Sequence, residues 1–371
     1  MARLGDVCEK RTSNIAQKDL EGHSGNYPIY GASGFIKNVD FYQQENPYIA
    51  VVKDGAGIGR IMKLPGKSSV IATMQYIIPN DAVDISYLAY AMEHMNLSKY
   101  FTGATIPHIY FKDYQREEFP LPSLAEQRKI AAVLDKVSDL IAKRRQQLTK
   151  LDEMVEARFV EMFGDPVENP HGFMVVSLEN LIDKGIITYH LDGNHGGDYP
   201  RSGEFISEGV PYIGANCIVD GRIDFSLAKY LSQERASKLR KGIAKNGDVL
   251  FAHNATVGPV VVLETREPKV ILSTSLTAYR CNLDQINPYY LCSYMKSRGF
   301  VMQYSSEMKQ TTRNQVPITA QKKYLFLIPP LELQNQFSTF VQQTEKNKTI
   351  VGCSLNTLET LKKTLMQKYF R

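Results

Sequence analysis

The sequence predicts an α+β chain in which one unit is written twice. Each copy is a mixed, β-rich globular block followed by a long helix, and the two helices pair antiparallel as a coiled coil. Three observations carry this. Residues 123–163 contain neither Gly nor Pro, and apolar side chains recur along them at steps of four and three: Ile130, Leu134, Val137, Ile141, then Leu148, Leu151, Val155 and Phe159. That is a heptad seam with a single polar break at Arg144. Residues 329–371 repeat it: at an offset of 207, Pro122 meets Pro329, Leu124 meets Leu331, Gln127 meets Gln334, Leu148 meets Leu355, Leu151 meets Leu358 and Phe163 meets Phe370. The second seam runs Phe337, Val341, Val351, Leu355, Leu358, Leu365 and Tyr369. Finally, the segments before the two helices carry strand runs, glycine loops and a short helix in the same order.

In chain order, residues 1–121 form the first block. A short opening segment lies around Leu4 and Val7, and a Gly- and Tyr-rich region covers 22–34. The run YIAVV at 48–52 reads as a buried strand, followed by the loop KDGAGIG at 53–59 and a strand at 60–64. Residues 69–72 and 76–79 read as further strands, and 85–95 as a short helix, since Ile85, Leu88, Ala89 and Met92 share helical spacing. A polar loop at 102–108 precedes the long helix of residues 122–163, for which Ser123 is the N-cap. About forty residues make a rod of roughly 60 Å, which cannot bury its stripe against itself and needs a partner.

The second block, residues 164–328, follows the same plan. DVLFA at 248–252 stands for YIAVV, and HNATVG at 253–258 for the first glycine loop, with Ala255 and Gly258 against Ala56 and Gly59. A short helix at 288–295 and a polar loop at 310–317 follow, with Pro317 set against Pro107. Its greater length is assigned to a Gly-rich insert at 193–209. The second long helix is residues 329–371.

The composition is that of an ordinary water-soluble chain: 371 residues, 43% hydrophobic, 22% charged, net charge +5, pI near 8.7. Five scattered cysteines form no C-x-x-C, so free thiols in a reducing cytoplasm are expected, with no zinc site. The start, MARLGDVCEKR, lacks an apolar run and no stretch approaches a membrane span, so neither leader nor membrane contact is expected.

Motifs for chemistry fail on inspection. Gly55, Gly57 and Gly59 are spaced GxGxG and lead into a strand, which fits a hairpin and not a dinucleotide loop. Gly66-Lys67-Ser68 lacks the earlier glycine of a phosphate loop. His190, Asp192, His195 and Asp198 cluster in a glycine-rich loop without a metal-site pattern. Asn46-Pro47-Tyr48 and Asn287-Pro288-Tyr289 lack the second proline of an amino-methyltransferase motif, and Glu307-Met308-Lys309 is an isolated E-x-K. No catalytic residue and no metal ligand is assigned.

Local charge says more. Lys53, Arg60, Lys63 and Lys67 cluster in the first block, although that block holds 12 basic and 13 acidic residues. Lys229, Arg235, Lys238, Arg240, Lys241 and Lys245 cluster in the second, as do Lys309, Arg313, Lys322 and Lys323. These are candidate phosphate contacts. Thr311, Thr312, Arg313, Asn314 and Gln315 carry groups suited to base edges, Arg for guanine and Asn or Gln for adenine; Thr102, Thr105 and His108 are their counterparts, with His253 and Asn254 in the adjoining loop.

Two variable globular blocks, each followed by a helix opening P-x-L-x-E-Q, resemble the specificity subunit of type I restriction–modification systems. The signature is Leu121-Pro122-Ser123-Leu124-Ala125-Glu126-Gln127-Arg128-Lys129-Ile130; the second copy, Ile328-Pro329-Pro330-Leu331-Glu332-Leu333-Gln334, displaces the Glu. The resemblance spans the chain and is strongest in the helices. It implies two target-recognition domains, each reading one half of a bipartite, asymmetric site in double-stranded DNA, with the coiled coil as a ruler between them. It implies docking of two methyltransferase subunits and of restriction subunits, and no chemistry in this chain. S-adenosylmethionine, ATP and Mg would then belong to those partners. A scaffold without DNA binding, an enzyme with an unrecognised site and the specificity part of a related fused system are the rival readings.

Overall fold

Both stretches free of proline are continuous helices, Leu124–Phe163 and Leu331–Phe370, and a set of β-sheets precedes each. The structure is a computed structural model and describes residues 1–103, 107–308 and 314–371. Thr105, Lys309, Thr311, Thr312 and Arg313 lie outside the described residues. The chain divides into two compact units: Met1–Gln147 with Val351–Arg371, and Leu148–Ile350.

The first unit holds β1 (Ala2–Arg3), α1 (Leu4–Val7), β2 (Cys8–Thr12), β3 (Tyr27–Gly31), β4 (Gly34–Val39), β5 (Tyr48–Val52), β6 (Ile61–Leu64), β7 (Ser69–Val70), β8 (Met74–Pro79), α2 (Ile85–Met95), α3 (Phe111–Tyr114), β9 (Glu118–Phe119) and the start of α4 (Leu124–Phe163). The central sheet is antiparallel in the order β2-β8-β5-β6. All five residues of β5 are buried, which is why YIAVV shows no alternation. A second sheet, β4-β3-β7, includes a parallel pair, and β1 closes against β9. The α2 helix begins where the sequence places it because the Asp84 carboxylate caps the amides of Ser86 and Tyr87.

The second unit repeats this frame with β10 (Met174–Ser177), α5 (Leu178–Asp183), β11 (Ile187–Asp192), β12 (Phe205–Ile206), β13 (Val210–Ile213), β14 (Ile218–Val219), β15 (Arg222–Ile223), β16 (Lys229–Leu231), α6 (Gln233–Ser237), β17 (Ile243–Ala244), β18 (Val249–Asn254), β19 (Thr256–Val262), β20 (Val270–Leu272), β21 (Leu276–Cys281), α7 (Pro288–Lys296), α8 (Arg298–Met308), α9 (Ile318–Gln321), β22 (Leu325–Ile328) and α10 (Leu331–Phe370). Its central sheet is β11-β21-β18-β19, the counterpart of β2-β8-β5-β6. The parallel pair β13–β20 answers β3–β7, and β10–β22 answers β1–β9.

Two expectations about the duplication are corrected. The extra length of the second copy does not come chiefly from residues 193–209. Seventeen residues separate β11 from β13 against fourteen between β2 and β3, whereas thirty-five separate β13 from β18 against sixteen between β3 and β5. The added strands β14, β15 and β17 lie there; β16 pairs with β13 as β4 does with β3, and β12 and β17 widen the second sheet from three strands to five. The glycine loops also match one residue earlier than the letters indicate. Gly55 and Ala255 are the equivalent pair: both have positive φ (81° and 65°), and both donate a backbone N–H to the following loop, to Pro107 O and Asn314 O. Pro107 therefore answers Asn314, and Pro317, N-cap of α9, answers Tyr110, N-cap of α3.

Each unit contains one half of the helix pair. In the first, Arg145 reaches Glu359 at 2.6 Å, and Ile130, Ala131 and Leu134 bury in one core with Met366 and Phe370. In the second, Lys348 reaches Asp152 at 2.7 Å, and the Phe337 ring packs on Phe159 and Phe163 at 5.6 and 5.4 Å. Numbers rise along one helix as they fall along the other, so the pairing within each unit is antiparallel. Ile130, Leu134, Val137, Ile141, Phe337, Val341 and Val351 are buried, while Leu148, Leu151, Val155, Leu355, Leu358 and Leu365 are half-buried. The most deeply buried helix residues are those that also face a sheet or short helix; a helix pair by itself covers one side only. Arg144 is half-buried and bonds Gln147 of its own helix, so the polar break needs no partner across the seam.

Candidate nucleic-acid interface

In each unit the polar loops meet at one end of the central sheet. In the first, β5 runs out into Lys53 and Asp54, whose amides both donate to Thr73 O. The Lys53 carbonyl accepts from Ile109 N at 2.9 Å and Pro107 O accepts from Gly55 N at 2.9 Å, so the loop ending at His108 is sewn to the sheet end. Thr102 and His108 exchange two backbone bonds, 2.8 and 2.9 Å, which close that loop at its base. The Asp54 carboxylate pairs with the His108 ring and lies 3.6 Å from Lys53 Nζ. Arg60, exposed, stands beside the same turn and donates to Ala32 O at 2.8 Å.

The glycine run is a hairpin turn, as its spacing predicts. Gly59 has φ of 78°, and a Cβ there would lie 2.5 Å from Ser98 N, so the turn packs against backbone and admits no side chain.

Lys63 and Lys67 are not part of this cluster. They lie toward the other end of the β5–β6 hairpin, where Lys63 donates to Ser86 at 2.7 Å and sits 3.8 Å from Asp135, and Lys67 sits 3.7 Å from Glu45. These are exposed pairs, worth about 0–1 kcal/mol each.

Among the described residues, the second unit has Asn and Gln where the first has Asp54 and His108. Asn254 bridges Gln315, Ala255 N donates to Asn314 O at 3.0 Å, and Val316 N donates to His253 O at 2.8 Å. Asn314 is exposed, and Asn254 and Gln315 are half-buried. Asp54 and His108 of the first unit thus correspond to Asn254 and Gln315 of the second. Lys241, exposed, belongs to this end: Asn194 grips its carbonyl at 2.7 Å and its amide at 3.3 Å. Lys245 does not, since its amide bonds Asp248 at the opposite end of β18.

The expectation that His253 reaches DNA does not fit its surroundings. It is 1% exposed, its Nδ1 lies 2.9 Å from Thr277 Oγ1, and burial lowers its pKa below the usual histidine value. Within the basic clusters, Arg235 is held by Glu204 at 2.6 Å and Lys238 by Glu234 at 2.7 Å. His195 pairs with Asp192 at 2.6 Å, while His190 is turned inward onto Gln321. Among the described residues no group of three or more His, Cys, Asp or Glu is placed to hold a metal ion, and no helix is long and apolar enough to cross a membrane.

Sequence reasoning assigned no role to three features of this architecture. Among the described residues, Asp54 carries the one carboxylate at the first unit's loop junction that touches both Lys53 and His108. Asn194 has no sequence signal beyond its place in a glycine-rich loop. Gln127 and Gln334 did have one, the repeated P-x-L-x-x-Q. Each is buried and accepts a backbone N–H from the N-cap of the short helix, Asp84 and Asn287, at 2.8 Å, while its amide returns to Pro122 O or Pro329 O at 2.8 Å. That bond set docks the start of each long helix on the block before it.

The chain is similar throughout to known proteins of this architecture. The family described as "Type I restriction modification DNA specificity domain" matches residues 1–151 and again 172–360. The type I restriction enzyme MjaVIII specificity subunit of Methanocaldococcus jannaschii is 23% identical over 99% of this chain and 90% of its own length. The type I restriction enzyme EcoBI specificity subunit of Escherichia coli is 21% identical over 73% of this chain and 61% of its own. The crystal structure of a type I restriction–modification S subunit from M. genitalium superposes with a TM-score of 0.66 at 15% identity, covering 100% of this chain and 95% of that one. With two family matches that together span most of its length, the chain belongs to the type I restriction–modification DNA specificity family.

Proposed function

We propose that this chain is the DNA-reading subunit of a type I restriction–modification complex, each unit reading one half of a split, asymmetric site in double-stranded DNA. The observation that carries the reading is the repeated loop junction: two copies of one sheet, each presenting at the same end a polar loop sewn to the strand beside it. The side chains there differ, a Lys–Asp–His cluster in one copy and an Asn–Asn–Gln cluster in the other, as two different half-sites require. Lys53, Arg60 and Lys241 supply charge beside the loops for phosphate contacts. Lys63, Lys67 and Lys245 stand away from them and contribute to the general field only.

The paired helices set the spacer between half-sites and dock two methyltransferase subunits, to which restriction subunits are added. Methyl transfer from S-adenosylmethionine and ATP- and Mg-dependent cleavage belong to those partners. Co-expression with the cognate methyltransferase and genome-wide mapping of methylated bases tests this. An asymmetric motif in two parts is the expected result; a continuous palindrome overturns it. DNA affinity that does not fall with salt would favour a coiled-coil scaffold instead.

A further inference from the structure

A chain of buried polar side chains runs beneath the second unit's loop. Gln321, fully buried at the end of α9, uses its whole amide. Its Oε1 accepts from Tyr279 Oη at 2.6 Å and from His190 Nε2 at 3.1 Å. Its Nε2 donates to Thr277 Oγ1 at 3.2 Å and to Val316 O at 3.4 Å. Thr277 Oγ1 in turn lies 2.9 Å from His253 Nδ1. The proton inventory fixes the direction of the bonds around Gln321. An amide oxygen only accepts, so His190 carries its proton on Nε2; the Thr277 hydroxyl accepts from Gln321 and has both a proton and a lone pair left with which to bond His253 Nδ1. Burial, which lowers the pKa of both imidazoles, keeps them neutral for these roles.

The chain ends on the loop. Val316 is held from both sides, its N–H on His253 O at 2.8 Å and its carbonyl on Gln321. Gln315 and Asn314 precede it directly and are paired with Asn254 and Ala255. Gln321, Thr277 and His253 are 0%, 0% and 1% exposed, so none of them can meet a ligand itself.

We propose that Gln321, Thr277 and His253 are positioning residues that fix where Asn254, Asn314 and Gln315 stand, and thereby set how strictly the second unit reads its half of the DNA site. This rests on the DNA-reading role proposed above. The first unit braces its loop at the same place with a different pair: Gln75 on β8 donates to the buried Tyr114 hydroxyl at the end of α3, and Ile109 N donates to Lys53 O at 2.9 Å. Among the described residues no histidine takes part in that brace. Each unit is therefore the internal control for the other.

The test uses the full-length chain assembled with its methyltransferase, with genomic DNA as substrate and methylated bases as readout. Thr277→Val keeps the side-chain shape and removes the hydroxyl that accepts from Gln321 and bonds His253. Methylation at sites carrying one altered base in one half should rise about tenfold relative to the intact site, while the other half stays as strict as in wild type. Thr277→Ser should restore the original preference, and Gln75→Leu should relax the opposite half. An unchanged motif for Thr277→Val overturns the proposal, and so does a loss of both halves together or a failure of Thr277→Ser to rescue. A wild-type complex that yields no split motif sinks the DNA-reading role itself, and that arm reports it separately.

Discussion

At the residue scale, one costly contact to break sits away from the loops. Asp248 has a side chain 2% exposed and binds Arg280 through two bonds, 2.8 and 2.7 Å, while the guanidinium lies 4.6 Å from the Tyr189 ring and also reaches Ile243 O. Removing the carboxylate strands that cation, so Asp248→Ala should destabilise the second unit by about 3–5 kcal/mol in denaturant titration. His190 makes stability depend on pH. Burial lowers its pKa to about 4, with Lys322 adding to the effect and Gln321 and Asp192 opposing it. The folded value is below that of the unfolded chain, so the unfolded state binds more protons between them. Stability is full above about pH 6.5 and falls as pH drops through about 4, by up to about 3 kcal/mol. His190→Gln should flatten that part of the stability–pH curve; an unchanged slope would place its origin elsewhere.

At the scale of elements, the decisive contacts are those that fix a long helix to the block before it. Gln127→Ala leaves the Asp84 amide unpaired beside a buried helix start, and a loss of about 1–3 kcal/mol is expected in thermal or chemical unfolding. Gln334→Ala should cost a similar amount through Asn287. Phe337 is fully buried between Phe159 and Phe163, and its truncation to Ala should cost about 3–5 kcal/mol. Exposed pairs along the helices, such as Arg145 with Glu359, should be nearly silent by the same assay.

At the scale of the whole molecule, the prediction concerns length. If the helices set the spacer, a heptad inserted near residue 145 and matched near 352 adds about 10 Å of helix, equivalent to about three base pairs. The methylation motif of the assembled complex should then keep both half-site sequences and gain about three base pairs between them. An unaltered spacer would remove the ruler role while leaving the reading role of the units in place.

The heptad seam and its copy at an offset of 207 determined the two helices, their limits near Leu124 and Phe163, and the duplication, because helical period and the absence of Gly and Pro are local properties of the chain. The short helices at Ile85 and Pro288 were legible for the same reason, each with an Asx cap. The loop equivalences were not. Ala56 resembles Ala255 in letters, but Gly55 shares its backbone, since φ and hydrogen-bond partner depend on where the next loop returns. Only the tertiary structure separated Lys53, Arg60 and Lys241 from Lys63, Lys67 and Lys245, because charge clusters in sequence take no account of which end of a strand they occupy. It alone buried His253 and joined it through Thr277 and Gln321 to residues far apart in the chain, a pairing of polar groups that no local pattern encodes.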